Sequence, residues 1–192
     1  MTSTNHLEGS LISLRPLALS DSGSLFEHTG NDLELWQWLR YETPTTLSEM
    51  EDIVSSILNE VSNQTREAFA VILKSSGEAI GSTSFMDFSE DNSQVEVGGT
   101  FYAKKFWRTG VNTEAKILML SEAFDGRQYL RVIFKTDKLN LRSQAAIERL
   151  GAKFDGVKEH HMQRLDGSWR DSAYYSIEKD RWPTIKKALS KA

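Results

Sequence analysis

The chain has 192 residues, a formal net charge of −4 and no cysteine. That length suits one domain with a sizeable core, the acidic balance argues against a general nucleic-acid surface, and the lack of thiols excludes disulfides, thiolate metal ligands and a covalent Cys intermediate. Met1 to Gly9 lacks the basic segment and apolar run of an export signal, and no apolar stretch approaches the roughly 18 residues that span a bilayer, so a cytoplasmic, membrane-free location is expected.

Leu11 to Leu17 reads as a first strand, with Pro16 marking an edge or an end. Asp21 to Thr29 is a short helix closed by Gly30-Asn31. Leu33 to Leu39 carries a dense apolar cluster, Leu35, Trp36, Trp38 and Leu39. Thr46 and Glu49 have the spacing of a capping box. Leu47, Met50, Ile53, Val54, Ile57, Leu58 and Val61 follow at helical intervals. The period then changes. Ala68 to Leu73, Ala79 to Phe88 and Gln94 to Tyr102 read as strands with short connections, hence an antiparallel meander.

A helix is predicted from about Gly110 to Phe124, with Gly126 as its stop. Arg131 to Thr136 reads as a strand and Leu141 to Leu150 as a helix ended by Gly151. Lys153 to Gln163 and Trp169 to Ile177 form a hairpin around Asp166-Gly167. Trp182-Pro183 opens a basic terminal helix. No repeat or linker interrupts the order, so one domain over residues 1–192 is expected, an α+β fold with one central sheet.

The junction between the Gln94–Tyr102 strand and the next helix is the most informative stretch: Phe106-Trp107-Arg108-Thr109-Gly110-Val111-Asn112-Thr113-Glu114-Ala115-Lys116. A strand running into a helix N-terminus gathers unpaired backbone N–H groups at one point, and the helix dipole adds partial positive charge. Such a point seats a phosphate or pyrophosphate. Lys104, Lys105 and Arg108 bring full positive charges close by. There is no G-x-x-x-x-G-K-[ST] loop for a nucleoside triphosphate.

The element order together with this loop resembles the GNAT superfamily of acyl-CoA N-acyltransferases. That family carries [Q/R]-x-x-G-x-[G/A] here; the aligned residues are Trp107, Gly110 and Asn112. The longer run Trp107 to Ala115 is similar to W-G-x-G-x-A-T-E-A, common in the branch that contains ribosomal-protein N-terminal acetyltransferases. Asp137-x-x-Asn140-x-x-Ser143 followed by Ile147-Glu148-Arg149-Leu150-Gly151-Ala152 resembles that branch's N-x-x-S…G-F segment. Asp166-Gly167 followed by Asp171, Tyr174 and Ser176 resembles its closing hairpin. The resemblance extends from about Leu11 to Trp182.

The resemblance implies a GNAT-type fold, a mixed, mostly antiparallel sheet flanked by helices. It also implies transfer of an acetyl group from acetyl-CoA to an amine, a protein N-terminal α-amine or a small molecule. The backbone N–H groups of Arg108, Thr109, Gly110, Val111, Asn112 and Thr113 would hold the pyrophosphate. The backbone at Thr100, Phe101 and Tyr102 would pair with the pantetheine arm as an added strand does, and an N–H there would stabilise the thioester oxyanion. Asn140 would touch the CoA arm or cap its helix, and Ser143 would hydrogen-bond the departing thiolate.

Glu96 is the first candidate base. It lies one residue further from Gly110 than the branch's spacing, so its side chain faces the site only if a β-bulge absorbs that residue. With no cysteine, direct attack in a ternary complex is expected. No metal is implied, and assembly is left open, a homodimer included.

A non-catalytic acyl-CoA-binding domain is the rival reading. Other polar residues have weaker contexts. His160 and His161, adjacent on a strand, point to opposite faces and cannot chelate together, though one could act as base. Trp36 and Trp38 read as core before pocket lining. Glu42, Glu49, Glu51, Asp52, Asp87, Glu90 and Asp91 could attract a cationic amine or form a solvated surface.

Overall fold

The computed structural model describes residues 6–190; the first five residues of the Met1–Gly9 stretch lie outside it. Eight strands form one sheet: β1 (Leu7–Glu8), β2 (Ile12–Pro16), β3 (Arg66–Leu73), β4 (Ala79–Ser89), β5 (Gln94–Tyr102), β6 (Arg131–Asp137), β7 (Lys153–Gln163) and β8 (Trp169–Glu178). Their order is β1-β2-β3-β4-β5-β6-β8-β7. Each pairing is antiparallel except β5 with β6.

Helices cover both faces, giving three layers. On one face lie α1 (Ser22–Thr29), α2 (Leu33–Trp36) and α3 (Leu47–Ser62). The opposite face is packed by α4 (Gly110–Ser121), α5 (Leu141–Arg149) and α6 (Trp182–Leu189).

Helix α3 starts where its sequence says it should. Thr46 Oγ1 accepts from the Glu49 N–H, and the Glu49 carboxylate accepts from the Thr46 N–H at 3.1 Å. Met50, Ile53, Val54 and Ile57 then point inward and are buried with Leu25, Trp36, Ala68, Ala70, Ile72 and Phe101. Trp36 is core, as expected: its ring lies 5.0 Å from Phe101 and its indole N–H donates to the Thr29 carbonyl. This cluster draws on β3, β4 and the end of β5 and takes nothing from β6, β7 or β8. On this face the second half of the sheet carries Lys135, Ser172, Tyr174 and Ser176 at alternate strand positions, while Phe134, Ala173 and Tyr175 point into the other core.

Two features differ from the sequence expectation, and one decides between alternatives that it left open. The short strand β1 precedes the predicted first strand and pairs with it. Of the two readings of Pro16, an edge or an end, the structure bears out the end: Pro16 is the last residue of β2, which β1 and β3 flank. The predicted Gly110–Phe124 helix stops as α-helix at Ser121 and continues as a π-helical turn, Glu122–Gly126. There Arg127 pairs with Glu67 and Glu122 and draws the chain toward the sheet.

Glu114 on α4 fastens the β1–β2 turn. Its carboxylate accepts from the backbone N–H groups of Ser10, Leu11 and Ile12 at 2.7, 2.8 and 2.8 Å, and from the Ser10 hydroxyl. Burial opposes its charge, but these donors outweigh burial and hold its pKa below the usual carboxylate value. Glu114→Ala is expected to cost about 2–3 kcal/mol, the range for charge-assisted bonds lost from a partly buried acceptor, measured by urea unfolding. Because the folded pKa is depressed, Glu114's contribution is present above its unfolded pKa and fades as pH falls through the folded value.

Candidate functional site

The parallel ladder between β5 and β6 is short. Gln94, Val95 and Glu96 pair with Arg131, Val132 and Ile133, and pairing then stops. Beyond Glu96 the two strands part, and one side of β5 from Val97 to Tyr102 faces a gap in place of a neighbour. A strand edge inside a sheet offers unpaired backbone groups to an extended ligand.

The register between β4 and β5 shifts at the same place. Ser84 pairs with Gly98 and Ser82 with Phe101, so β5 spends one residue more than β4. Gly99, with φ +56°, is in the left-handed region that such a bulge uses. The bulge reverses the side-chain alternation. It puts Glu96 on the α1–α3 face with Phe101, whereas Val97 and Tyr102 enter the opposite core. The extra residue between Glu96 and Gly110 noted in the sequence is absorbed in this way.

The two adjacent glycines also leave room for two charged groups. A Cβ on Gly98 would sit 2.5 Å from Oε1 of Glu96, and one on Gly99 would overlap the guanidinium of Arg66. Arg66 is buried, donates Nε–H to Ser84 Oγ at 2.8 Å and reaches Glu60 at 3.4 Å.

Glu96 is 7 % exposed. Its carboxylate pairs with Lys135 Nζ at 2.8 Å, and Asp87 pairs with the same ammonium. Burial pushes the Glu96 pKa up more than Lys135 pulls it down, and the Asp87 charge adds to the rise. Burial works against the Lys135 ammonium, but Glu96 and Asp87 outweigh it and keep its pKa above the ordinary lysine value. Next to Lys135, Tyr174 shares its hydroxyl with His161 Nε2 at 3.1 Å, and His161 Nδ1 meets Ser172 Oγ at 2.9 Å.

A bulge in β7 between Lys158 and Met162 turns His161 toward this group, while His160, at φ +47°, stacks edgewise on Trp169. Burial, then Lys158, Lys135 and Arg170, lower the His161 pKa.

On the other face, beneath the parting strands, Lys116 of α4 is buried. Its ammonium donates to Thr100 Oγ1 at 2.7 Å and Thr83 Oγ1 at 3.3 Å, and burial pushes its pKa down to about 7. Thr100 is thus held by its side chain from below. Phe101 is locked against Trp36, and the Tyr102 carbonyl accepts from the Trp107 indole at 2.9 Å.

Thr109 is the N-cap of α4: its hydroxyl accepts from the Val111 N–H at 3.3 Å and donates to the Phe106 carbonyl at 2.7 Å. The N–H of Thr113 belongs to the helix ladder, because only the first four donors of a helix lie outside it. Among the described residues the N–H groups of Arg108, Thr109, Gly110 and Asn112 have no partner. The open set is therefore narrower than the Arg108–Thr113 span read from sequence.

Arg108 itself has φ +60°. This conformation costs a non-glycine residue about 1 kcal/mol, at the position where the branch motif has glycine. The cations read near this loop are partly spent: Lys104 pairs with Asp32 and Glu34 at 2.9 and 2.7 Å, and Lys105 meets His28 at 3.2 Å. Trp107, standing where Gln or Arg is the rule, lies 3.7 Å under the guanidinium of Arg142 and so ties the loop to α5.

At the start of α5, Asn140 Oδ1 accepts from the Ser143 N–H at 3.0 Å. The cap role is taken by the oxygen, which leaves the amide NH2 as the end able to reach a ligand. The Ser143 hydroxyl makes no hydrogen bond among the described residues. Glu42, Glu49 and Asp52 line a shallow cleft of about 460 Å³ near the start of α3, with Glu49 already engaged in the capping box.

The profile of the Acetyltransferase (GNAT) domain matches residues 12–153. The chain belongs to the GNAT acetyltransferase family. GNAT enzymes take acetyl-CoA as donor, so this chain is an acetyl-CoA-dependent N-acetyltransferase.

A GCN5-related N-acetyltransferase from Brucella melitensis superposes with a TM-score of 0.90 at 28 % identity, over 97 % of this chain and 84 % of that one. Mycobacterium smegmatis RimJ, solved in complex with CoA-disulfide, shares the fold at a TM-score of 0.82 and 19 % identity, covering 98 % and 95 % of the two chains. The uncharacterized N-acetyltransferase p20 of Bacillus licheniformis is 22 % identical over 169 residues, 88 % of this chain and 93 % of that protein. Among the described residues of this GNAT chain no helix is long and apolar enough to cross a membrane, and no group of three or more His, Asp or Glu is placed to hold a metal ion.

Gly99→Ala is expected to lower stability by about 1–3 kcal/mol through the left-handed backbone and the crowding of Arg66. Gly110→Ala, whose Cβ would meet only Cδ1 of the half-exposed Leu11 at 2.9 Å, should change it by less than about 0.5 kcal/mol. Denaturant midpoints of the two variants, measured side by side, check the contrast.

Proposed function

We propose that this GNAT chain, acting in the cytoplasm as a single domain over residues 1–192, transfers an acetyl group from acetyl-CoA to a primary amine. The acceptor is a protein N-terminal α-amine or a small-molecule amine, attacking directly in a ternary complex. The observation that carries the reading is the coincidence of three features at one place. The β5–β6 ladder ends at Glu96, the Gly99 bulge turns Glu96 to the open face, and the unpartnered N–H groups of Arg108, Thr109, Gly110 and Asn112 lie at the end of the same strand.

These features support a division of labour across the sheet. The open donors at the start of α4 fit a diphosphate, and the free side of β5 around Thr100, Phe101 and Tyr102 fits an extended pantetheine arm. The Asn140 amide would donate to that arm. Acetyl-CoA supplies an activated acyl carbonyl and a thiolate leaving group. A backbone N–H of the bulge would polarise that carbonyl, and the Ser143 hydroxyl would donate a hydrogen bond to the sulfur.

On the other face, an amine is nucleophilic only when neutral, and its unperturbed pKa is roughly 8 for an α-amine or 10 for a lysine-type amine. Glu96, with its pKa raised by burial, is suited to accept that proton. Lys135 keeps the pocket from becoming too hostile to the ionised carboxylate.

Two measurements test the assignment. Gly110→Trp fills the space beside the open donors and should weaken acetyl-CoA binding by about 100-fold or more, as loss of a close backbone approach to phosphate does; calorimetry showing unchanged affinity would remove the diphosphate from this loop. Glu96→Gln should lower kcat by about 100-fold or more, the usual contribution of a general base, and flatten the acid limb of the pH–rate profile. The working form of Glu96 is ionised and its pKa is raised, so wild-type turnover should fall as pH drops through that raised value. An intact acid limb with full turnover would place the base elsewhere.

A further inference from the structure

The open face beside Glu96 holds a second charged group that the reaction above does not use. Arg170, on β8, points to the same side of the sheet as Ser172 and Tyr174. Its Nη1 reaches only the Met162 sulfur at 3.5 Å, and its Nε is buried with no partner among the described residues. Arg170 is half-buried, and a guanidinium N–H withdrawn from water without an acceptor is costly, because its desolvation is not repaid.

The nearby acids are already committed. Asp137 accepts from both Nε and Nη2 of Arg164 at 2.8 Å, and Glu96 is paired with Lys135. Burial lowers the Arg170 pKa more than the Asp137 and Glu96 charges raise it.

The balance of charge on this face has a definite shape. Glu96 and Asp87 share a single ammonium, Lys135, which leaves one negative charge in excess at that end. Arg170 leaves one positive charge in excess at the other. Glu96 on β5 and Arg170 on β8 lie on the same face of the sheet, with only β6 between their strands. A ligand complementary to both carries an ammonium toward Glu96 and an anion toward Arg170. The planar fork of a guanidinium matches a carboxylate in a bidentate pair.

We propose that Arg170 is the specificity residue of the acceptor site and that the acceptor is an amine bearing a carboxylate, bound as a zwitterion between Glu96 and Arg170. This rests on the placement of the acceptor amine at Glu96. The carboxylate belongs either to a free amino acid or to an acidic first residue of a peptide, and the substrate panel separates these sources.

The test follows free thiol release from acetyl-CoA with the purified full chain. Free amino acids are compared with their carboxamides, and peptides beginning with Asp or Glu with those beginning with Asn or Gln. At least one acid should exceed its amide in kcat/KM by roughly 100-fold, the penalty for leaving a partly desolvated charge without its partner. In Arg170→Gln and in the isosterically apolar Arg170→Met the acid-to-amide ratio should collapse toward one, and Arg170→Lys should recover part of it. A structural role alone would lower both substrates together and leave the ratio alone.

Amides used as well as acids by the wild type would overturn the inference while leaving the acetyltransferase reading intact. So would a ratio that persists in both variants with unchanged thermal melts. Thiol release with no amine of either kind would overturn both. Binding of N-acetylated acids, but not their amides, to the wild-type chain gives the same discrimination without turnover and without any variant.

Discussion

The parting of β5 from β6 after three paired residues is the constraint from which the site follows. A sheet interior normally satisfies every backbone group through its neighbours. Here the ladder is cut at Glu96 and Ile133, and the strand edge so released lies between two helical layers. The Gly99 bulge falls on the free part of the strand. It adds twist and exchanges the faces of the side chains on either side of it. Had β5 continued in regular alternation, Glu96 would share a face with Tyr102 and point into an apolar core with no room for charge. Gly98 and Gly99, by lacking a Cβ, let the Glu96 carboxylate and the Arg66 guanidinium lie close over the strand.

The two faces of the cut carry different electrostatics. Under the sheet Lys116 is buried against Thr100 and Thr83 with burial as the sole cause of its lowered pKa. It holds the free stretch of β5 in place from the α4 side. Above the sheet Glu96, Asp87, Lys135, Tyr174, His161 and Arg170 form a continuous polar surface over β5, β6 and β8, where α1, α2 and α3 do not reach. A donor and an acceptor substrate approaching from opposite faces would meet only where the strands have separated. In the proposed reaction neither substrate would have to leave before the other enters.

The loop after β5 shows how neighbours revise the meaning of a charge. Lys104 and Lys105 add to a positive cluster when read along the chain, but Asp32, Glu34 and His28 of the α1–α2 region take them up. What stays open at the start of α4 is mainly backbone. Trp107, in place of the usual polar side chain, serves as a brace, bonded to the Tyr102 carbonyl and stacked on Arg142. The loop thereby connects the strand that carries the gap to the helix that carries Ser143.

By itself the sequence determined what depends on near neighbours. The capping box and apolar period of α3, the β5 limits of Gln94 and Tyr102 and the strand–loop–helix junction at Gly110 were all legible, because each is set within a few residues. The motif runs around Gly110 and Asn140 were sufficient to indicate the family. Only the tertiary structure decided which faces the side chains take and which charges meet. The spacing of Glu96 from Gly110 made a β-bulge the condition for its side, but only the folded strand placed that bulge at Gly99, and the partners Lys135, Asp87, His161 and Arg170 come from strands far apart in the chain. Pairing those strands, and so deciding that Arg170 lacks a carboxylate while Glu96 has a lysine, takes the folded sheet, since a charge is satisfied or left wanting only by what stands next to it in space.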